Sequence, residues 1–205
     1  MGRFKIKKQD TFIDMTPMSD VMVLLLTFFM LTSTFVKKEP IKVNTPGSVS
    51  EIKVPETSVL TILVESTGKI FMQMDNEYNL RDVLPMMAEK YSLPEFTQKE
   101  IKTFGSASAF GVPMSKMKSY LDMSPEEQDA YIKSKQNEGI PCDSVNNEFK
   151  DWVSCAREVN PDLKIAIKAD AKTSYKVIKK VMNSLQDIKE NRYNLITSLK
   201  KQSED

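Results

Sequence analysis

Thr16, Asp20, Thr27 and Thr34 recur at spacings of four, seven and seven within the one membrane-length apolar run of this chain. On a helix that spacing makes a single polar stripe, drifting only about 20° per heptad. An ionisable group inside a bilayer is costly, usually faces protein or water rather than lipid, and is by default a candidate for handling ions. Asp20 is therefore the candidate ion-translocation residue, with Thr16, Thr27 and Thr34 lining the path beside it. The alternative for the threonines is structural: their hydroxyls bond back to the helix's own carbonyls.

The element that must position this stripe runs from Met15 to Val36, 22 residues that would make roughly 33 Å of helix against a hydrocarbon core of about 30 Å. Asp20 at the centre of such a span would cost about 2.5–3.5 kcal/mol. The ten Val, Leu and Phe residues of Val21–Val36 return about 3–6 kcal/mol together, and Asp20 lies nearer one end, where its cost falls. Insertion is favoured. Arg3, Lys5, Lys7 and Lys8 place a basic tail, residues 1–14, on the cytoplasmic side, although Lys37 and Lys38 blunt the asymmetry. A cleaved signal peptide is the competing reading. Asp14, Pro17 and Asp20 ahead of the apolar core, and the lack of a small-x-small cleavage site, stand against it.

With 205 residues and a net charge of +1, the chain has room for about one folded domain beyond this helix and no electrostatic reason to bind nucleic acid. It contains no histidine, which removes Ser-His-Asp and Cys-His catalysis and the usual zinc sites. No glycine pattern suits a phosphate loop. An enzyme is not expected, and neither a cofactor nor a metal is called for.

Residues 37–57 carry Pro40, Pro46 and Pro55 among Ile41, Val43, Ile52 and Val54, which reads as an extended tether or an edge strand. Ser58–Glu65 and Ile70–Met74 form two strands of a hairpin about the turn at Gly68, and Leu80–Tyr91 is helical, with Pro85 near its first turns. Leu163–Ala169 alternates as a strand with Lys164 and Lys168 on its open face. Ile178, Val181, Met182 and Leu185 mark a helix opened by Ser174, and Tyr193–Leu199 supplies a last strand. The expected fold over residues 58–205 is α+β, in the order β-β-α-β-α-β, with helices on one sheet face.

Residues 92–161 interrupt that order as a largely helical insertion, expected to be peripheral. Ser124-Pro125-Glu126-Glu127 is a capping box that should open a helix to about Lys135, and a second short helix runs from Val145 to Arg157. Cys142 and Cys155 both lie here, too far apart for a CxxC motif. An oxidising compartment favours a disulfide between them; two buried free thiols are the alternative.

The stretch Ile13-Asp-Met-Thr-Pro17-Met-Ser-Asp20-Val-Met-Val-Leu-Leu-Leu resembles the signature of the ExbD/TolR family of bacterial biopolymer-transport proteins, in which Thr-Pro-x-x-Asp-Val opens a single membrane helix. The resemblance continues through residues 58–74 and through Lys164-Ile-Ala-Ile-Lys-Ala-Asp170, Tyr175 and Val181-Met182. It covers about 130 residues; the insertion has no counterpart in short family members, and Val43-Asn-Thr45-Pro46 departs at Thr45 from the family's Val-x-Leu-Pro. The resemblance implies a single-pass inner-membrane protein with a periplasmic C-terminal domain. It would be a homodimer inside a pentameric ring of an ExbB- or TolQ-like polytopic partner. That complex spends the ion gradient to drive a TonB-like protein for outer-membrane transport, with Asp20 as the ion-handling carboxylate. A TolR-like role in envelope integrity and a passive anchored binding module are the alternatives.

Overall fold

Gly68 turns the chain between two apolar strands with φ of +89°, a left-handed conformation that a side chain would strain. The hairpin it closes consists of β2 (Val59–Val64) and β3 (Ile70–Met74). The computed structural model describes residues 15–33, 41, 43–48, 57–143 and 146–199. These fall into two units, one up to Lys37 and one from Lys38 onward. In the first, the described residues form one element, α1 (Thr16–Thr32).

In the second unit β4 (Lys164–Ala169) pairs parallel with β2, and β5 (Tyr193–Leu195) pairs parallel with β4, giving a mixed sheet of order β3-β2-β4-β5. The register puts Leu60, Ile62 and Val64 on one face with Ile70, Met72, Met74, Ile165, Ile167 and Ala169, all buried. Thr61, Gln73, Lys164 and Lys168 share the opposite face, which is more open. That face is not bare, however. Phe71 on it is buried because the backbone at Gly111 lies directly against its ring.

The helices follow from their caps. α2 (Glu77–Lys90) begins where the Asn76 side chain accepts from Tyr78 N–H, three residues earlier than the sequence suggests. Pro85 is consequently inside the helix rather than near its start. α7 (Tyr175–Asp187) connects β4 to β5, so β4-α7-β5 is a parallel crossover unit. A short ladder, β1 (Gly47–Ser48) with β6 (Ser198–Leu199), pairs the tether with the end of the domain. The expected last strand is thus two: β5 extends the sheet and β6 leaves it.

The expectation that residues 92–161 are peripheral is overturned. This segment forms α3 (Gln98–Ser106), α4 (Met114–Leu121), α5 (Pro125–Lys133) and α6 (Glu148–Val159). The first two have no clear sequence signal beyond the Thr97–Glu100 capping box that opens α3. Phe104, Phe110, Phe149 and Trp152 are fully buried in the same core as β2, β3 and β4. Phe110 exchanges both backbone hydrogen bonds with Met72, at 2.7 and 2.8 Å, and Ile140 N–H donates to Ile70 C=O at 2.9 Å. The segment therefore covers the β3 edge, whose backbone groups would otherwise be open to another chain.

Candidate functional site

α1 is built by its sequence: Pro17 is preorganised for a first turn, and the Ser19 hydroxyl and N–H both donate to Met15 C=O, at 3.2 and 3.0 Å. Asp20 follows one turn in and is the single charged side chain of the helix. At about 100° per residue, Thr16, Asp20 and Thr27 fall within an arc of about 40°. The structure thus brings these three onto one face; Thr34 lies outside the described residues. The Thr27 hydroxyl donates to Leu24 C=O at 2.9 Å, so its proton is committed to the helix and only its oxygen lone pairs remain for another partner. On the far side Thr32 does the same with Phe28 C=O at 2.8 Å.

No residue of α1 is buried; Met30 is 76% and Leu31 86% exposed. Outside the face of Thr16, Asp20 and Thr27 the helix is largely apolar, a pattern that favours lipid or other helices over water. The expected span over 15–36 is nevertheless not what the structure describes. Helical geometry ends at Thr32, Ser33 is extended, and 17 residues give about 25 Å. Among the described residues no helix is long and apolar enough to cross a membrane.

The expected disulfide is absent: Cys142 and Cys155 are both free thiols. Their surroundings differ: Cys155 lies within α6, and Cys142 lies before it. The Cys142 sulfur lies 3.4 Å from the Ser184 hydroxyl of α7, which also accepts from Asn147 Nδ2 at 3.0 Å. Cys155 sits one helical turn after Asp151, which binds Lys90 at 2.6 Å and Tyr91 at 2.7 Å at the end of α2. Burial pushes both thiols above the ordinary cysteine range, so they are poor nucleophiles. Among the described residues no acidic or cysteine cluster could hold a metal ion.

One residue of the quoted Ala-Asp pattern has a role that the sequence reading missed. The Asp170 carboxylate accepts from Lys172 N–H at 2.9 Å and from Asn44 N–H at 3.0 Å, while Ala171 N–H donates to Asn44 C=O at 2.9 Å. These backbone donors, Lys172 first and Asn44 next, hold its carboxyl below the usual carboxylate range. The local signal was available, because Asp followed by small and polar residues favours an Asx turn. That the second oxygen reaches a residue so remote in sequence was not.

Comparison with known proteins agrees with these elements. The profile of the family described as Biopolymer transport protein ExbD/TolR matches residues 7–200. Over 63 residues the chain is 29% identical to Biopolymer transport protein exbD2 of Vibrio cholerae serotype O1, a match covering 31% of this chain. It spans about half, 47%, of that curated relative's length. No solved structure matches the chain.

Proposed function

This chain belongs to the ExbD/TolR family of biopolymer transport proteins, and from that premise we propose that it couples an ion gradient to transport through Asp20. The observation that carries the reading is α1 itself: an apolar helix, exposed on every side, with one carboxylate a turn from its start and two threonines on the same face. The apolar sequence continues through Phe35 and Val36, so α1 is the described part of an inner-membrane anchor, and the domain from Lys38 onward lies in the periplasm. A lone helix cannot form an ion path, because lipid would surround most of it. The polar stripe accordingly faces a second copy of α1 and a ring of helices from an ExbB- or TolQ-like partner, probed from one side by ion entry and from the other by exit. The coupled complex drives a TonB-like protein towards the outer membrane. The name of the Vibrio cholerae relative favours this ExbD-like role over envelope integrity.

In this mechanism the carboxylate takes up the ion from one compartment and releases it to the other. A carboxamide keeps the shape and hydrogen-bonding capacity but cannot change charge. Asp20→Asn should therefore insert and assemble normally yet abolish energy-dependent uptake of a ligand that needs an outer-membrane transporter. Membrane abundance and copurification of the ring protein are measured beside uptake. Full uptake at equal abundance would reduce Asp20 to a packing residue in a passive anchor.

A further inference from the structure

A cavity of about 260 Å³ lies between the C-terminal end of α3, the end of α4 and one face of α5. Pro125, Gln128, Asp129 and Ile132 fall at i, i+3, i+4 and i+7 and make the α5 wall. The cavity is smaller than the roughly 300–1,000 Å³ of sites for drug-sized ligands, so it suits a small molecule or a single side chain. Two of its polar groups have no partner among the described residues. Tyr120 is 2% exposed, yet its hydroxyl makes no hydrogen bond, which a buried hydroxyl ordinarily does. Asp129 is exposed and lines the same cavity without a hydrogen bond or an ion pair. Burial first, and the Asp129 carboxylate second, push the Tyr120 phenol well above its ordinary range, so it keeps its proton.

The other polar groups of the wall accept rather than donate. The Thr103 and Ser106 hydroxyls give their protons to Lys99 C=O at 2.9 Å and Lys102 C=O at 2.7 Å, so each offers lone pairs. Gln128 Nε2 donates to Met123 C=O at 3.1 Å, which leaves the amide oxygen as an acceptor. α3 ends at Ser106 with no basic residue in its last turn, so the negative end of its dipole has no counter-charge there. Among the described residues no lysine or arginine lines the cavity. An anion would meet only acceptors and a carboxylate. A divalent metal ion would find one carboxylate where it needs several oxygen ligands.

We propose that this cavity binds an alkylammonium group, carried by a free amine or by a lysine side chain. Asp129 balances the charge, the Tyr120 oxygen accepts one N–H, and Pro125, Ile132 and the Tyr120 ring pack against the carbon chain. The site goes beyond the ion-coupling reading and stands whether or not Asp20 carries an ion.

The test is equilibrium dialysis of the full-length protein in detergent against radiolabelled n-butylammonium, with n-butanol as a neutral probe of the same carbon chain and detergent alone as the blank. Wild type should bind butylammonium saturably and about tenfold or more tightly than butanol, the lower end of what a hydrogen bond to a charged group contributes. Asp129→Asn changes an exposed position and should weaken butylammonium about tenfold while leaving butanol unchanged. Tyr120→Phe keeps the ring and should weaken butylammonium about threefold or more. Glu126→Gln removes a neighbouring acid that does not line the cavity and should change nothing. Competition with Nα-acetyl-lysine amide separates the two sources: displacement at lower concentration than butylammonium itself assigns the site to a lysine side chain, and displacement at higher concentration to a free amine. Four results overturn the proposal: no saturable binding to wild type, butanol binding as tightly as butylammonium, equal effects of Asp129→Asn and Glu126→Gln, or a Tyr120→Phe affinity equal to wild type.

Discussion

Trp152 stacks against Phe104 with ring centroids 5.8 Å apart and an interplanar angle of 27°, joining α6 to α3 across the domain core. Phe110 closes the cluster at 4.8 Å from Trp152 and 4.9 Å from Phe104. The segment that looked removable in sequence therefore supplies four of the five largest fully buried side chains among the described residues, Trp152, Phe104, Phe110 and Phe149, the fifth being Phe71. Trp152→Ala should destabilise the domain by about 3–5 kcal/mol, read as a shift in the urea midpoint. Replacing residues 92–161 with a short Gly/Ser loop should leave no cooperative unfolding transition; a sharp one would restore the peripheral reading.

Gly111 is fixed by a close approach. A Cβ there would clash with Phe71 Cδ1, and the ring cannot retreat because it is buried against the sheet. Gly111→Ala should cost about 1–3 kcal/mol of stability by overpacking. A thermal midpoint equal to wild type would show that the loop moves aside freely.

Cys142 and Cys155 carry the opposite expectation from a disulfide framework. Protein isolated without reductant and then denatured should take up alkylating reagent at both thiols. In the native state, labelling at Cys142 should precede Cys155, since Cys142 is half-buried and Cys155 buried. Intact mass showing two alkyl groups after denaturation is the check, and a persistent oxidised species would refute it.

Glu100 gives a pH dependence with a definite sign. Its carboxylate accepts from the Thr97 hydroxyl and N–H, both at 2.6 Å, and these bonds hold its carboxyl below the usual range. A depressed folded value means that the stabilisation is present above the unfolded value and is lost as pH falls through the folded one. Glu100→Gln should be less stable than wild type at pH 7 by about 0.5–2 kcal/mol, the size of a helix cap. The gap should narrow as pH drops below about 4.3. A gap that is constant down to pH 2 would assign the loss to packing rather than to the charge.

Local chemistry alone determined much of this protein. The hairpin about Gly68, the capping box Ser124–Glu127, the alternation of Lys164–Ala169 and the apolar spacing of α7 are each specified within a few residues, and each is where the sequence places it. Asp20 and its stripe are equally legible, because helical periodicity puts Thr16, Asp20 and Thr27 on one face without help from any other element. What stayed hidden depends on contacts between residues far apart in the chain. Whether residues 92–161 are ornament or core is decided by Trp152, Phe104 and Phe110 meeting one another and by Phe110 pairing with Met72. Apolar residues in short helices carry no mark of the partner they bury against. Cys142 and Cys155 are close enough in sequence to suggest a bond, but the first packs against Ser184 of α7 and the second lies within α6, a turn from the Asp151 that binds the end of α2. Asp170 reads as a turn residue, and only the tertiary structure brings Asn44 to its second oxygen. Periodicity fixes which face of an element a side chain occupies; the packing of elements, set by the sum of many weak contacts, fixes what that face meets.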